Sequence, residues 1–80
     1  MKYYTYILKS LINNDIYVGS TANLKMRIQL HNIGKVRSTK AYRPWQLLEY
    51  HEYPTRSEAV LAERFFKNHQ QKEMLKNKHK

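Results

Sequence analysis

From Tyr3 to Lys9 polar and apolar positions alternate, with Tyr4, Tyr6 and Leu8 on one face and Thr5 and Ile7 on the other. That period of two is the signature of a strand. Asn13-Asn14-Asp15 breaks it as a turn, and Ile16 to Gly19 reads as the returning strand of a hairpin. Ser20-Thr21 then offers a cap for a helix running to about Asn32, with Gly34 placed to stop it. Lys35 to Arg43 reads as a basic loop or a single short turn, and Trp45 to Tyr53 as a third strand begun after Pro44. Thr55 and Glu58 form a capping box that opens a second helix, expected to reach about Asn68. Residues 69–80 are expected to form a basic helix or tail that frays from Asn77 onward. The order ββαβα(α) predicts an α+β fold, a small three-stranded antiparallel sheet flanked by helices.

Length and composition narrow the picture. Eighty residues are expected to make one domain, 1–80, with a thin core. The absence of cysteine excludes a disulfide framework and every thiolate-built zinc or iron–sulfur site. No stretch approaches the ~20 apolar residues of a membrane helix, and Met1 to Ile12 lacks the pattern of a signal peptide. A cytoplasmic location and no membrane partner are expected. The net charge of +9 is concentrated: residues 22–44 hold Lys25, Arg27, Lys35, Arg37, Lys40 and Arg43 and no acid. The tail from Lys67 is basic too, while 45–66 is mildly acidic. Such a distribution suits a phosphate-backbone partner, although a solubilising surface would also carry it.

Three groups of residues could do chemistry. On the first helix Leu24 and Ile28 aim at the core, with Arg27 and His31 along its rim, all within a third of the circumference. A solvated arginine and a structural histidine would share that spacing, so both readings stand. On the second helix Ala59, Ala62 and Phe66 form the apolar face, and Glu63 lies inside or beside the same arc. An inward carboxylate needs a cation, a hydrogen-bond network or a metal. An i,i+4 pair with Lys67 is the plainest account. Tyr6 and Tyr17 stand on the two hairpin strands, and an odd register would put them on one face. Strand tyrosines are also ordinary packing material. Gly19 follows, where a backbone approaches a ligand or another chain.

Together these residues form a recognisable constellation. Tyr4-Thr5-Tyr6, Tyr17-Val18-Gly19, Arg27 ten residues after Tyr17, His31 four further on and Glu63 on the next helix resemble the GIY-YIG nuclease family. The most specific stretch is Tyr17-Val18-Gly19-Ser20-Thr21-Ala22-Asn23-Leu24 with Arg27 and His31, and the resemblance runs from Tyr3 to about Lys67. It is to the small stand-alone bacterial members, relatives of the catalytic domains of homing endonucleases and of the excinuclease C subunit. The sequence departs from the family where Tyr4 and Thr5 replace the first triplet's glycine and isoleucine. The family's late asparagine has no convincing counterpart, since Asn68 is too near Glu63 and Asn77 falls in the tail expected to fray.

The resemblance implies a GIY-YIG-like fold and an endonuclease that hydrolyses DNA with one Mg²⁺ or Mn²⁺ ion, in repair or recombination. No small-molecule cofactor is expected. It implies catalytic roles for Tyr6, Tyr17, Arg27, His31 and Glu63, with Glu63 as the metal ligand and Gly19, Ser20 and Thr21 in support. Lys25, Lys35, Arg37, Lys40 and Arg43 are the expected DNA contacts. Physically, hydrolysis needs an activated water and relief of charge on the phosphoryl oxygens. Arg27 offers a fork matched to phosphate, and Mg²⁺ keeps most of its waters and so needs few protein ligands. Whether Tyr6, Tyr17 or His31 takes the proton stays open. The alternative function is a nucleic-acid-binding module with an idle site. A basic protein-interaction or ribosome-associated factor fits the charge but leaves the Tyr6, Tyr17, Arg27 and Glu63 set unexplained.

Overall fold

The computed structural model of the chain describes residues 1–79. Two strands, β1 (Tyr3–Ser10) and β2 (Ile16–Thr21), form the expected hairpin, and α1 (Leu24–Asn32) follows. A 3₁₀ turn at Lys40–Tyr42 interrupts the basic loop before β3 (Trp45–Tyr53). Helices α2 (Arg56–Lys67) and α3 (His69–Lys78) complete the chain. The sheet is antiparallel in the order β2-β1-β3, so the architecture is the predicted α+β arrangement.

The central strand explains the packing. Thr5, Tyr6, Ile7 and Leu8 are all buried, so β1 is covered on both faces. On one face Tyr6, Leu8 and Trp45 pack with Tyr17, Leu47 and the Leu24 and Ile28 side chains of α1. On the other, Ile7, Ile16 and Val18 pack with Leu48, Phe66 of α2 and Leu75 of α3. Each fully buried aliphatic side chain here is worth roughly 1.5–3 kcal/mol. A register irregularity opposite Ile7 and Leu8 lets Tyr50 and Leu47 share the α1 face. Leu48 and Glu49 turn toward the helices on the other side.

Three local expectations are corrected. The cap of α1 is Asn23, whose Oδ1 accepts from the Met26 amide at 3.1 Å, and not Ser20-Thr21. Ser20 and Thr21 extend β2 instead, paired with Thr5 and Tyr4 of β1. His31 does not lie on a rim; it is fully buried, because the following loop folds back over it. Helix α3 runs to Lys78 without fraying from Asn77, with the His79 amide donating to the Leu75 carbonyl. Glu49 of β3 fastens that end, accepting from Lys78 Nζ at 3.1 Å and lying 2.8 Å from His79 Nε2. Lys80 lies outside the described residues.

Other local readings hold. Gly34 stops α1 at φ +82°, a left-handed conformation that favours glycine. Thr55 caps α2 by accepting from the Glu58 amide. Asn68 closes α2 and opens α3 at once, its side chain accepting from the Gln70 amide. The two helices therefore meet without a linker.

Candidate active site

Sequence-adjacent hairpin strands and α1 bring four of the five predicted residues together. Tyr6 pairs with Gly19 across the hairpin and Leu8 with Tyr17, so the two tyrosines share a face with ring centroids 6.4 Å apart. Gly19 is needed there for space. A β-carbon on it would overlap Tyr6 Oη and lie 2.6 Å from Tyr6 Cζ. What approaches the Gly19 backbone is thus the Tyr6 phenol, rather than the ligand or second chain the sequence suggested.

His31 sits over this pair. Its Nε2 lies 2.9 Å from Tyr6 Oη, and its ring centroid is 5.0 Å from that of Tyr17. Its Nδ1 lies 2.7 Å from Thr39 Oγ1. Arg27, one turn earlier on α1, donates from Nε to Tyr6 Oη at 3.4 Å. Burial pushes the Tyr6 phenol up to about 12, against the hydrogen bond from Arg27, which pulls it down. Burial, with the Arg27 charge adding to it, pushes His31 down to about 4. At neutral pH the pair is an intact phenol beside a neutral imidazole.

Glu63 approaches from the opposite side of the sheet. Helix α2 packs on the Ile7 face, and Glu63 reaches the edge strand β2, where Ser20 Oγ donates to its Oε1 at 2.6 Å. Lys67 Nζ lies 2.7 Å from Oε2, so the i,i+4 pair anticipated from the sequence is present. Lys67 also reaches over the Tyr17 ring, 6.0 Å from its centroid. Burial raises the Glu63 carboxyl, but the bonds from Lys67 and Ser20 outweigh it and hold the group below its ordinary value. Glu63 is therefore ionised, and the five residues wrap around β2 with Lys67 and Tyr17 bridging the halves.

The ionised, partly exposed oxygens of Glu63 suit a hard cation that retains its waters. Lys67 would have to release Oε2 for an ion to bind there. Among the described residues no three His, Cys, Asp or Glu side chains gather where one ion could bind them all. An ion on this side of the sheet would be held by the Glu63 carboxylate and complete its shell with water.

Lys25, Lys35, Arg37, Lys40 and Arg43 are all exposed. Arg43 lies against Gly34, and Lys25 lines a cleft of about 560 Å³ with Tyr4, Asn23, Ile28, Leu47 and Tyr50. That cleft opens on the same sheet face as Tyr6. Thr21 braces the turn before α1, its hydroxyl accepting from the Asn23 amide. Asn77, in α3, lines a separate cleft with Lys9, Asn14 and Glu73, and Asn68 is a helix cap.

Two contributors had no signal in the pattern. Thr39, inside the basic loop, is fully buried, and its carbonyl accepts from the Trp45 indole at 2.8 Å. Asn32 clamps the start of β3, its Oδ1 accepting from the Trp45 amide at 2.6 Å and its Nδ2 donating to the Trp45 carbonyl. A buried tryptophan requires a partner for its N–H, so Trp45 was the one available hint that the loop folds inward.

Paired strand tyrosines, an arginine and histidine on the next helix and a glutamate on the one after are the residues on which the sequence resembles a nuclease-type domain. The GIY-YIG catalytic domain model matches residues 2–78, and the chain belongs to that family. Its relatives include UPF0213 proteins of two bacteria. One, from Pediococcus acidilactici, is 39% identical over 77 residues, covering 92% of this chain and 78% of that protein. Another, from Staphylococcus haemolyticus, is 37% identical over 76 residues, covering 94% and 92%. The solution structure of a UPF0213 protein from Bacillus halodurans is similar at a TM-score of 0.58 and 31% identity, covering 94% of this chain and 82% of that one. No helix among the described residues is long and apolar enough to cross a membrane.

Proposed function

We propose that the chain is a divalent-metal-dependent endonuclease that hydrolyses DNA phosphodiester bonds, and that it serves repair or recombination in the cytoplasm as a single domain. The observation that carries this reading is the wrapping of Tyr6, Tyr17, Arg27 and His31 on one side of β2 and ionised Glu63 on the other. Glu63 would hold one Mg²⁺ or Mn²⁺, which supplies charge neutralisation at the phosphoryl and leaving oxygens.

Arg27 is the group to bind a non-bridging phosphate oxygen, since its guanidinium is always charged and only Nε is engaged with Tyr6. Tyr6 is the phenol tied to a proton acceptor, so Tyr6 takes a proton from water as its own passes to His31 Nε2. In the resting site the values near 12 and 4 keep that proton on Tyr6. A phosphodiester anion on Arg27 favours the imidazolium that this relay leaves, with Tyr6 again a neutral phenol. Tyr17, half-buried, flanks the attacking water, and the Lys35, Arg37 and Lys40 loop, with Lys25 and Arg43, grips the neighbouring backbone.

The competing reading, a binding module with an idle site, draws on Lys67, which already neutralises Glu63. Glu63→Gln separates them. A metal ligand predicts that cleavage of labelled DNA falls by roughly 100-fold or more while affinity holds. The Glu63 pair with Lys67 is half-open to solvent, so an idle glutamate predicts unchanged cleavage and affinity with at most a small loss of stability. A wild type that cuts no DNA with any divalent metal overturns the nuclease reading. Thermal unfolding run alongside confirms that the variant is folded.

A further inference from the structure

Tyr6 is almost wholly buried, so its hydroxyl proton needs an acceptor within the protein. Two groups reach Tyr6 Oη. Arg27 Nε can only donate, and His31 Nε2 lies at 2.9 Å. The proton of Tyr6 therefore points at His31 Nε2, which must carry a lone pair. A neutral imidazole with a bare Nε2 carries its hydrogen on Nδ1, and that hydrogen points at Thr39 Oγ1, 2.7 Å away. Thr39 in turn donates its hydroxyl to the Val36 carbonyl at 3.3 Å. The chain Tyr6, His31, Thr39, Val36 closes with every buried side-chain donor and acceptor satisfied.

From this chain we infer that Thr39 is a positioning residue: it fixes His31 in the Nδ1–H tautomer, so that Nε2 is free to receive the Tyr6 proton. The inference rests on the nuclease reading for its catalytic meaning, but the tautomer is a property of the folded protein alone. When the Tyr6 O–H bond breaks, its proton bonds to Nε2 and the imidazolium keeps Nδ1–H on Thr39. No other proton has to move. Without the hydroxyl each tautomer leaves one buried donor unpaired, Nδ1–H in one and the Tyr6 hydroxyl in the other, so the Nε2–H form, which blocks the transfer, becomes populated. Thr39 is buried between exposed Arg37 and Lys40, so the loop that carries the cations also carries the residue that sets the tautomer.

The test uses the full chain and two readouts. Long-range ¹H–¹⁵N correlation spectra at neutral pH report which ring nitrogen of His31 carries hydrogen. The expected result is Nδ1–H in the wild type and in Thr39→Ser, with Nε2–H appearing in Thr39→Val. A wild-type His31 in the Nε2–H form overturns the inference without any variant. Single-turnover cleavage of DNA should fall at least about tenfold in Thr39→Val and return to within about threefold in Thr39→Ser. The pH profile of Thr39→Val should also shift relative to wild type. The groups facing His31 that could contribute to that profile are Tyr6 from β1, Tyr17 from β2 and Arg27 from its own helix. Thr39→Val that keeps the wild-type tautomer and rate refutes the role, as does Thr39→Ser failing alongside it. If the wild type cuts nothing, the nuclease reading falls and the spectra still decide the tautomer.

Discussion

Gly19→Ala is the substitution whose effect the structure fixes most narrowly. The new methyl would overlap Tyr6 Oη, sit 2.6 Å from Tyr6 Cζ and 3.1 Å from Tyr17 Cε2. Tyr6 cannot yield: its ring is 1% exposed and tethered to His31 at 2.9 Å. Overpacking a buried site costs roughly 1–3 kcal/mol, and loss of the Tyr6–His31 bond about 1 kcal/mol more. In a domain of this size each kcal/mol moves the melting temperature by roughly 4–8 °C. A fall of about 10–25 °C by circular dichroism is therefore expected. Tyr6→Phe removes the clashing oxygen but leaves Cζ, so Gly19→Ala should cost about 1 kcal/mol less in that background, a coupling a double-mutant cycle resolves. Gly34→Ala is the control. Its methyl meets only the guanidinium end of exposed Arg43, which swings away, leaving about 1 kcal/mol from the positive φ. A Gly19→Ala protein melting within about 3 °C of wild type, or one that Tyr6→Phe does not relieve, refutes the packing argument.

Acidification should act in two stages. His31 falls to about 4 in the fold from an ordinary 6.5, so its contribution is present above pH 6.5 and is lost as pH drops from 6.5 toward 4. At ~1.4 kcal/mol per unit that loss is of order 3 kcal/mol, and His31→Gln should flatten this window of a melting-temperature profile. Burial raises Glu49, yet bonds from His79, His51 and Lys78 bring it to about 2, so its contribution holds above about 4.5 and disappears below. Glu49→Gln should remove that second stage, and a profile flat from pH 7 to 3 would count against both. Nucleic-acid affinity should fall steeply with salt, and charge reversal at Lys35, Arg37 and Lys40 should weaken it across all sequences. Fluorescence anisotropy insensitive to salt would dismiss the basic loop as the interface.

What the sequence displayed and what it concealed divide along a physical line. The hairpin, the Gly34 stop, the Thr55 cap and the third strand after Pro44 depend on signals within a few residues, and all are where they were expected. The α1 cap was misplaced because Ser20 and Thr21 answer to a partner strand, pairing with Thr5 and Tyr4 across the hairpin. The rim position for His31 failed for a related reason. Helical spacing locates a residue on its own cylinder but is blind to the loop that Asn32, Trp45 and Thr39 pull over it. That α3 holds to Lys78 reflects its tie to Glu49, nearly thirty residues earlier. Glu63 was legible as an inward carboxylate and as the partner of Lys67. Its contact with Ser20 around the sheet edge was not.

The position of β2 between the two apolar clusters makes the candidate site separable. The cluster around Tyr6, Leu8 and Trp45 supports the phenol and imidazole, while that around Ile7, Val18 and Leu75 seats the helix bearing Glu63. Damage to the second loosens the acid and leaves the first in register. If the nuclease reading is right, changes on α2 alone would abolish cutting and leave the basic surface free to hold a phosphate backbone. On that reading, the acid and the phenol–imidazole pair are separated by one six-residue strand.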